Sequence, residues 1–261
     1  MNRQIVAGGN GGCPKSLGSP LAIAAQWPSF ARISYQAASA PRTGNRTAMA
    51  QYFEVHPVNP QPRLLGQAAD LLRQGEVLAV PTDSSYALVC QLDDKAAVDH
   101  LRRIRGVDDK HLLTLICKDL SELASYARVD NRQFRLLKQA TPGPYTFVLP
   151  ASKEVPRRIS HPQRKTIGLR VPEHPVIRGL LDILGAPLLA STLILPGEED
   201  PVSDPEEIRE RLDHELGAVI DAGTVPIKPT TVLDLTSMDG GGDATVLRAG
   251  QGSLQALGLG G

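Results

Sequence analysis

Between residues 63 and 247, short apolar runs alternate with segments whose apolar residues recur at helical spacing, and this interleaving restricts the fold more than any single motif. From Arg63 to Gln74, one helical face carries Leu64, Leu65, Ala68, Leu71 and Leu72, and Gly75 supplies a stop. Similar spacing predicts helices over 95–105, through Ala97, Val98, Leu101 and Ile104, and over 119–126. Another is opened by Asp130 and carries Phe134, Leu136 and Leu137. Two more cover 174–184 and 204–214, the latter led by Asp204, Glu206 and Glu207. Strands are predicted at 77–80, 87–90, 112–117, 145–149, 166–171, 187–195, 219–221, 231–235 and 244–247. Such alternation implies one α/β or α+β domain rather than separate all-α and all-β units.

At 261 residues the chain could hold one large domain or two small ones, so the pattern and not the length selects a single domain over 49–250. Residues 1–48 lack that pattern, are rich in Gly, Ala, Ser and Pro, and are expected to be disordered. Three origins stay open for them: a basic arm, a targeting peptide, or an upstream start before Met49, which is the one favoured. This segment holds five basic residues and no acid, leaving 23 basic against 28 acidic residues in 49–261, a net charge of −5. A free-standing nucleic-acid binder is usually basic overall, and this chain is not. After Gly250 the Gly-rich residues 251–261 are expected to form a flexible tail. Cys13, Cys90 and Cys117 are too scattered for a disulfide framework or zinc ribbon, which points to a reducing, cytoplasmic setting. The six histidines lack metal-ligand spacing, so no protein-held metal is expected. No apolar run approaches the roughly 20 residues that span a bilayer.

Candidate chemistry falls at strand ends. The stretch from Pro81 to Tyr86 reads Pro-Thr-Asp-Ser-Ser-Tyr, a turn of small hydroxyl and carboxyl side chains leaving a buried strand. Arg103-Ile104-Arg105 closes a helix, Ala190-Ser191-Thr192 closes an apolar run, and Thr230-Thr231 and Arg248 flank strands. Taken singly each is ordinary: a polar loop, a helix end satisfied by basic residues, hydroxyls bonded to sheet backbone, a solvated arginine. Taken together, Arg105, Arg170, Arg248 and several hydroxyls suit a concavity for a small phosphate- or carboxylate-bearing ligand. The chain lacks G-x-x-x-x-G-K-[ST], G-x-G-x-x-G and G-x-S-x-G patterns, so any nucleotide is held by side chains and scattered backbone groups. No strong nucleophile or general base is visible, and no catalytic residue is assigned.

In order along the chain stand PTDSSYAL, TPGPYTFVLP, KTIGLRVPEHP, ASTLILPG, SDPEEI, KPTTVLDL and VLRAG. With these motifs, residues 50–250 resemble the YrdC/YciO family of threonylcarbamoyl-adenylate synthase-like proteins, in its YciO branch. The resemblance implies a twisted mixed parallel and antiparallel sheet flanked by helices around a basic central groove. It also implies joining of L-threonine, bicarbonate and ATP, with Mg²⁺ on the nucleotide, to feed N6-threonylcarbamoyladenosine (t6A) formation in tRNA. By motif position, Ser84, Arg170, Thr192 and Thr230 fall on the threonine side, and Arg105, His111 and Arg248 on the nucleotide side.

Two departures qualify that inheritance. Where synthases carry K-x-R-P this chain has Arg105-Gly106-Val107-Asp108, and where they carry S-x-N it has Thr192-Leu193-Ile194. One guanidinium and one amide are thus lost, at roughly 1.5–3 kcal/mol per charged hydrogen bond. The expected activity is a weak or specialised synthase, or the reverse reaction on modified tRNA. The competing expectation is a non-catalytic protein that binds tRNA, double-stranded RNA or a nucleotide.

Overall fold

A computed structural model describes residues 49–109, 111–157, 159 and 165–259. The expectations for residues 1–48 lie outside the described residues. The strands are β1 (Gln51–Glu54), β2 (Leu78–Pro81), β3 (Tyr86–Gln91), β4 (Thr114–Ile116), β5 (Tyr145–Pro150), β6 (Thr166–Arg170), β7 (Leu188–Thr192), β8 (Ala218–Asp221), β9 (Thr231–Asp234) and β10 (Thr245–Arg248). They form one mixed sheet in the order β1-β8-β2-β3-β7-β4-β6-β5-β9-β10. The β1–β8, β8–β2, β4–β6 and β5–β9 pairs are parallel, and the rest are antiparallel. The helices are α1 (Pro62–Arg73), α2 (Lys95–Arg105), α3 (Leu120–Tyr126), α4 (Asn131–Ala140), α5 (Pro175–Leu184) and α6 (Pro205–Leu212). The expected mixed α/β architecture is therefore what the chain adopts.

Local chemistry sets the helix ends. Asp94, Asp119, Asp130, His174 and Asp204 each accept from a backbone N–H of the first turn. At α4 the cap is reciprocal, because Gln133 returns a bond to the Asp130 amide. Strand β1 was not anticipated: its four residues bury only Phe53 and show no alternation long enough to be read. The residues after Gly250 also differ from the expected tail. Leu254, Leu257 and Leu259 pack on the core, and the Ser253 carbonyl accepts from the Tyr145 hydroxyl at 3.0 Å. Gly252 allows this because an added Cβ would collide with the Tyr145 ring. Its role is close approach, not freedom.

The two faces of the sheet are covered unequally. One face is sealed along much of its length by α2, α4 and α6, through Leu101, Leu137 and Ile208 against Leu88, Phe147, Leu169 and Leu189. The opposite face is covered by α1 and α5, whose Leu72, Leu180 and Leu181 pack on Leu78, Val80 and Val89. That pair caps the β8-β2-β3 half and leaves the β4-β6-β5-β9 half open. Phe147, fully buried beneath the open half and stacked 6.1 Å from Tyr145, anchors this arrangement. Replacing Phe147 with Ala should destabilise the protein by about 3–5 kcal/mol. The corresponding drop in the midpoint of urea unfolding would be the check.

Candidate functional site

Side chains of a strand alternate between faces, so residues two apart share one. On β4, β6, β5 and β9 the core side is apolar: Leu115, Leu169, Phe147 and Leu233 are fully buried. The other side presents Thr114 and Ile116, Gly168 and Arg170, Thr146 and Val148, and Val232, all lining one cavity. Val148, Gly168, Thr114 and Ala190 lie in register across four strands and form its floor. The cavity measures about 520 Å³. Ser84, Arg105, His111, Arg170, Thr192, Thr230 and Arg248, the seven residues singled out in the sequence, all line it.

Arg170 is the last residue of β6 and is buried. Its Nη1 donates to the Ser84 hydroxyl at 2.9 Å, and its Nη2 is ion-paired with Asp83. The Thr82 hydroxyl donates to the Ser85 carbonyl at 2.7 Å, which leaves Ser84 as donor in its 3.2 Å contact with Thr82. A directed chain thus runs from Arg170 through Ser84 and Thr82 to the hairpin backbone. The Nε of Arg170 and Oδ2 of Asp83 are buried without a partner, although burying an unpaired polar group is costly. Both belong to the polar cluster beside the cavity.

Arg248 ends the edge strand β10 and folds onto Thr230, donating from Nε to its carbonyl and from Nη2 to its hydroxyl, each at 3.1 Å. The Thr230 hydroxyl also lies 3.0 Å from that of Thr146. Partial desolvation and the nearby charge of Arg170 both lower the Arg248 pKa. Like charges brought together within a concavity favour an anion between them.

Arg105 approaches from the opposite wall. It ends α2 just before Gly106, whose φ of +64° is left-handed and where an added Cβ would lie 2.8 Å from Pro196. The guanidinium donates from Nε to Ser191 at 3.2 Å and from Nη1 to the Ile194 carbonyl. His111 sits in the turn after α2, its amide bonded to Asp108. Its pKa is lowered by burial first, then by Arg105, with Asp108 opposing and Arg102 adding to the shift. His174, the cap of α5, is also lowered by burial, against the pull of Asp83.

Of the two departures, Ile194 lines the cavity whereas Val107 is not among its lining residues. Thr231, grouped with Thr230 in the sequence, instead holds the fold: its hydroxyl donates to the Gly252 carbonyl at 2.7 Å. Sequence reading missed the floor residues Thr114, Thr146 and Gly168, and the acids Glu199 and Asp200 at the mouth. The floor was accessible in principle from the period-two alternation of its strands. The acids carried no such signal. Among the described residues, no three His, Cys, Asp or Glu side chains gather as a metal site, and no helix is long and apolar enough to cross a membrane.

A family model described as "Telomere recombination", covering Sua5, YciO and YrdC, matches residues 70–250. The chain belongs to the Sua5/YciO/YrdC family. It is 49% identical to YciO of Escherichia coli K12 over 207 residues, spanning 79% of this chain and 98% of that protein. The crystal structure of E. coli YciO superposes with a TM-score of 0.75, covering 80% of this chain and all of that one. A threonylcarbamoyl-AMP synthase of Vibrio vulnificus is 28% identical over 159 residues, covering 60% of this chain and 84% of that protein. P. abyssi Sua5 complexed with L-threonine is similar at 25% identity and a TM-score of 0.69, covering 76% of this chain and 57% of that one.

The electrostatics generate a pH dependence. An anion beside Arg105 and His111 would offset the charge that lowers the His111 pKa, so binding takes up a proton. Sulfate, which does not titrate here, should therefore bind more tightly as pH falls from about 7.5 to about 5.5. His111→Gln should flatten that profile in calorimetric titrations. In the ligand-free protein the sign is opposite: a histidine pKa depressed by folding costs stability as pH falls through its ordinary value of 6.5.

Proposed function

We propose that this protein is an enzyme of threonylcarbamoyl-adenylate chemistry, acting in the t6A metabolism of tRNA. L-threonine occupies the end of the cavity formed by Ser84, Arg170, Thr230 and Thr192, and the nucleotide occupies the end formed by Arg105 and His111. Arg248 lies where the two meet. The observation that carries this reading is convergence: three guanidiniums from α2, β6 and β10 and hydroxyls from other segments line one cavity. Family membership beside a threonylcarbamoyl-AMP synthase and a threonine-bound Sua5 supports the substrate class.

The chemistry asks for what these residues supply. In the forward direction, the threonine amine and bicarbonate give a carbamate with loss of water, and a carbamate oxygen attacks the α-phosphorus of ATP, forming a mixed anhydride as pyrophosphate leaves. Nucleophile, threonine carboxylate and phosphates are all anionic, so the barrier lies in bringing like charges together in line. Arginines fixed beforehand by Ser84, Asp83, Thr230 and Ser191 neutralise that charge without reorganising during the reaction. Mg²⁺ would be carried by the nucleotide phosphates, where it would offset their charge, because Glu199 and Asp200 are the carboxylates among the described lining residues and no three-ligand cluster gathers there. The same alignment serves the reverse direction, and the Ile194 departure on the nucleotide side favours a weak forward synthase or a reverse activity on modified tRNA.

Two assays decide between these outcomes. One measures threonine-dependent pyrophosphate release from ATP with bicarbonate and Mg²⁺. The other follows t6A content by nucleoside mass after incubation with modified and unmodified tRNA. Activity is expected in at least one, lowered by about 10²-fold in Arg248→Ala, whose side chain comes from an exposed edge strand. Salt-sensitive tRNA retention with no turnover in either assay would replace this reading with non-catalytic RNA binding.

A further inference from the structure

Among the described residues, the cavity lining carries charges of both signs. Arg105, Arg170 and Arg248 are its strong cations, and burial beside Arg105 and Arg102 holds His111 towards its neutral form. Against them stand Asp83, already paired with Arg170, and the lining acids Glu199 and Asp200. Neither of these two acids has an ion-pair partner among the described residues, whereas the adjacent Glu198 pairs with Arg211. They lie on the loop between β7 and α6, which follows Ile194, the residue whose carbonyl receives Arg105. The Val202 amide donates back to the Leu193 carbonyl, so the loop carrying the acid pair closes on the segment that holds Ile194.

We infer that Glu199 and Asp200 are specificity-determining residues that set the nucleotide end for a ligand bearing one phosphate and disfavour a polyphosphate. The inference rests on the proposed division of the cavity into an amino-acid end and a nucleotide end. Among the described residues, two lining carboxylates, together with the Asp83 carboxylate paired to Arg170, reduce the positive charge that the three guanidiniums offer a triphosphate. A threonine carboxylate against Arg170 and Arg248 leaves Arg105 to meet one further anionic group. Additional phosphates directed at the mouth would meet two unpaired carboxylates, whose field is focused by the low-dielectric walls. The occupant this favours is an adenylate or another single-phosphate nucleotide.

Calorimetric titration of the full-length protein with AMP, ATP and L-threonine, each with and without Mg²⁺, tests this. The wild type should bind AMP at least as tightly as ATP. In E199Q/D200N the preference should shift about tenfold towards ATP, and the shift should shrink at high salt. Both side chains are exposed, so folding is expected to survive, and thermal unfolding of the variant provides the control. A wild type that prefers ATP by tenfold or more, or a variant with an unaltered ratio, overturns the inference. Loss of Mg²⁺-dependent ATP binding in the variant also overturns it, because the acids would then be holding a cation. Binding of L-threonine without either nucleotide defeats this inference alone, and absence of L-threonine binding defeats the functional reading beneath it.

Discussion

Unequal covering of the sheet is the constraint on which the rest of this structure depends. One face is sealed along much of its length by α2, α4 and α6, and the other only over its β8-β2-β3 half by α1 and α5. A sheet half left without a helix and lined by large aliphatic side chains alone would be an adhesive surface. Its strands intersperse Thr114, Thr146, Gly168 and Ala190 with Ile116, Val148 and Val232 on that side while keeping Leu115, Phe147, Leu169 and Leu189 on the other. Small and hydroxylated residues on the open face produce a hollow, and the alternation that builds the core also builds the site.

Placing arginines in such a hollow has an energetic cost that the surrounding residues offset. A guanidinium buried without compensation would be strongly unfavourable, and removing one partner of a buried pair costs about 3–5 kcal/mol. Arg170 is held by Asp83 and Ser84, Arg248 by the carbonyl and hydroxyl of Thr230, and Arg105 by Ser191 and the Ile194 carbonyl. The partners of Arg170 and Arg105 come from segments distant in sequence, and that of Arg248 from the segment leading into the neighbouring strand. The lowered pKa values of Arg105, Arg248 and His111 record what remains uncompensated: desolvation in each case, together with crowding by like charge at Arg248 and His111. Electrostatic tension of that kind is relieved by an anionic ligand, which is why the cavity reads as a binding site rather than a packing defect.

Much of this was legible in the chain. The helices came from apolar spacing, aided by the Asp130 cap and the acids from Asp204, and nine of the ten described strands from short apolar runs. Strand β1 escaped because Gln51–Glu54 buries only Phe53 and gains its identity from pairing with β8, which lies more than 160 residues away. The seven site residues were found through motif order, and all line the cavity. Thr231 differed from its neighbour Thr230 because strand alternation turns the two side chains to opposite sides, one to Arg248 and one to Gly252. The Gly-rich end was read as flexible because glycine permits both mobility and close approach, and only the Tyr145 ring beside Gly252 distinguishes them.

By itself, then, the sequence determined most of the elements, the mixed α/β class and the residue types able to neutralise anions. Those properties follow from local periodicity, capping and side-chain chemistry, which act over a few residues. Tertiary structure alone decided which sheet face stayed open, which acid was consumed by Arg170, and that Glu199 and Asp200 line the cavity with no ion-pair partner among the described residues. Charge balance in a cavity is a sum over segments far apart in the chain, and no local pattern carries it.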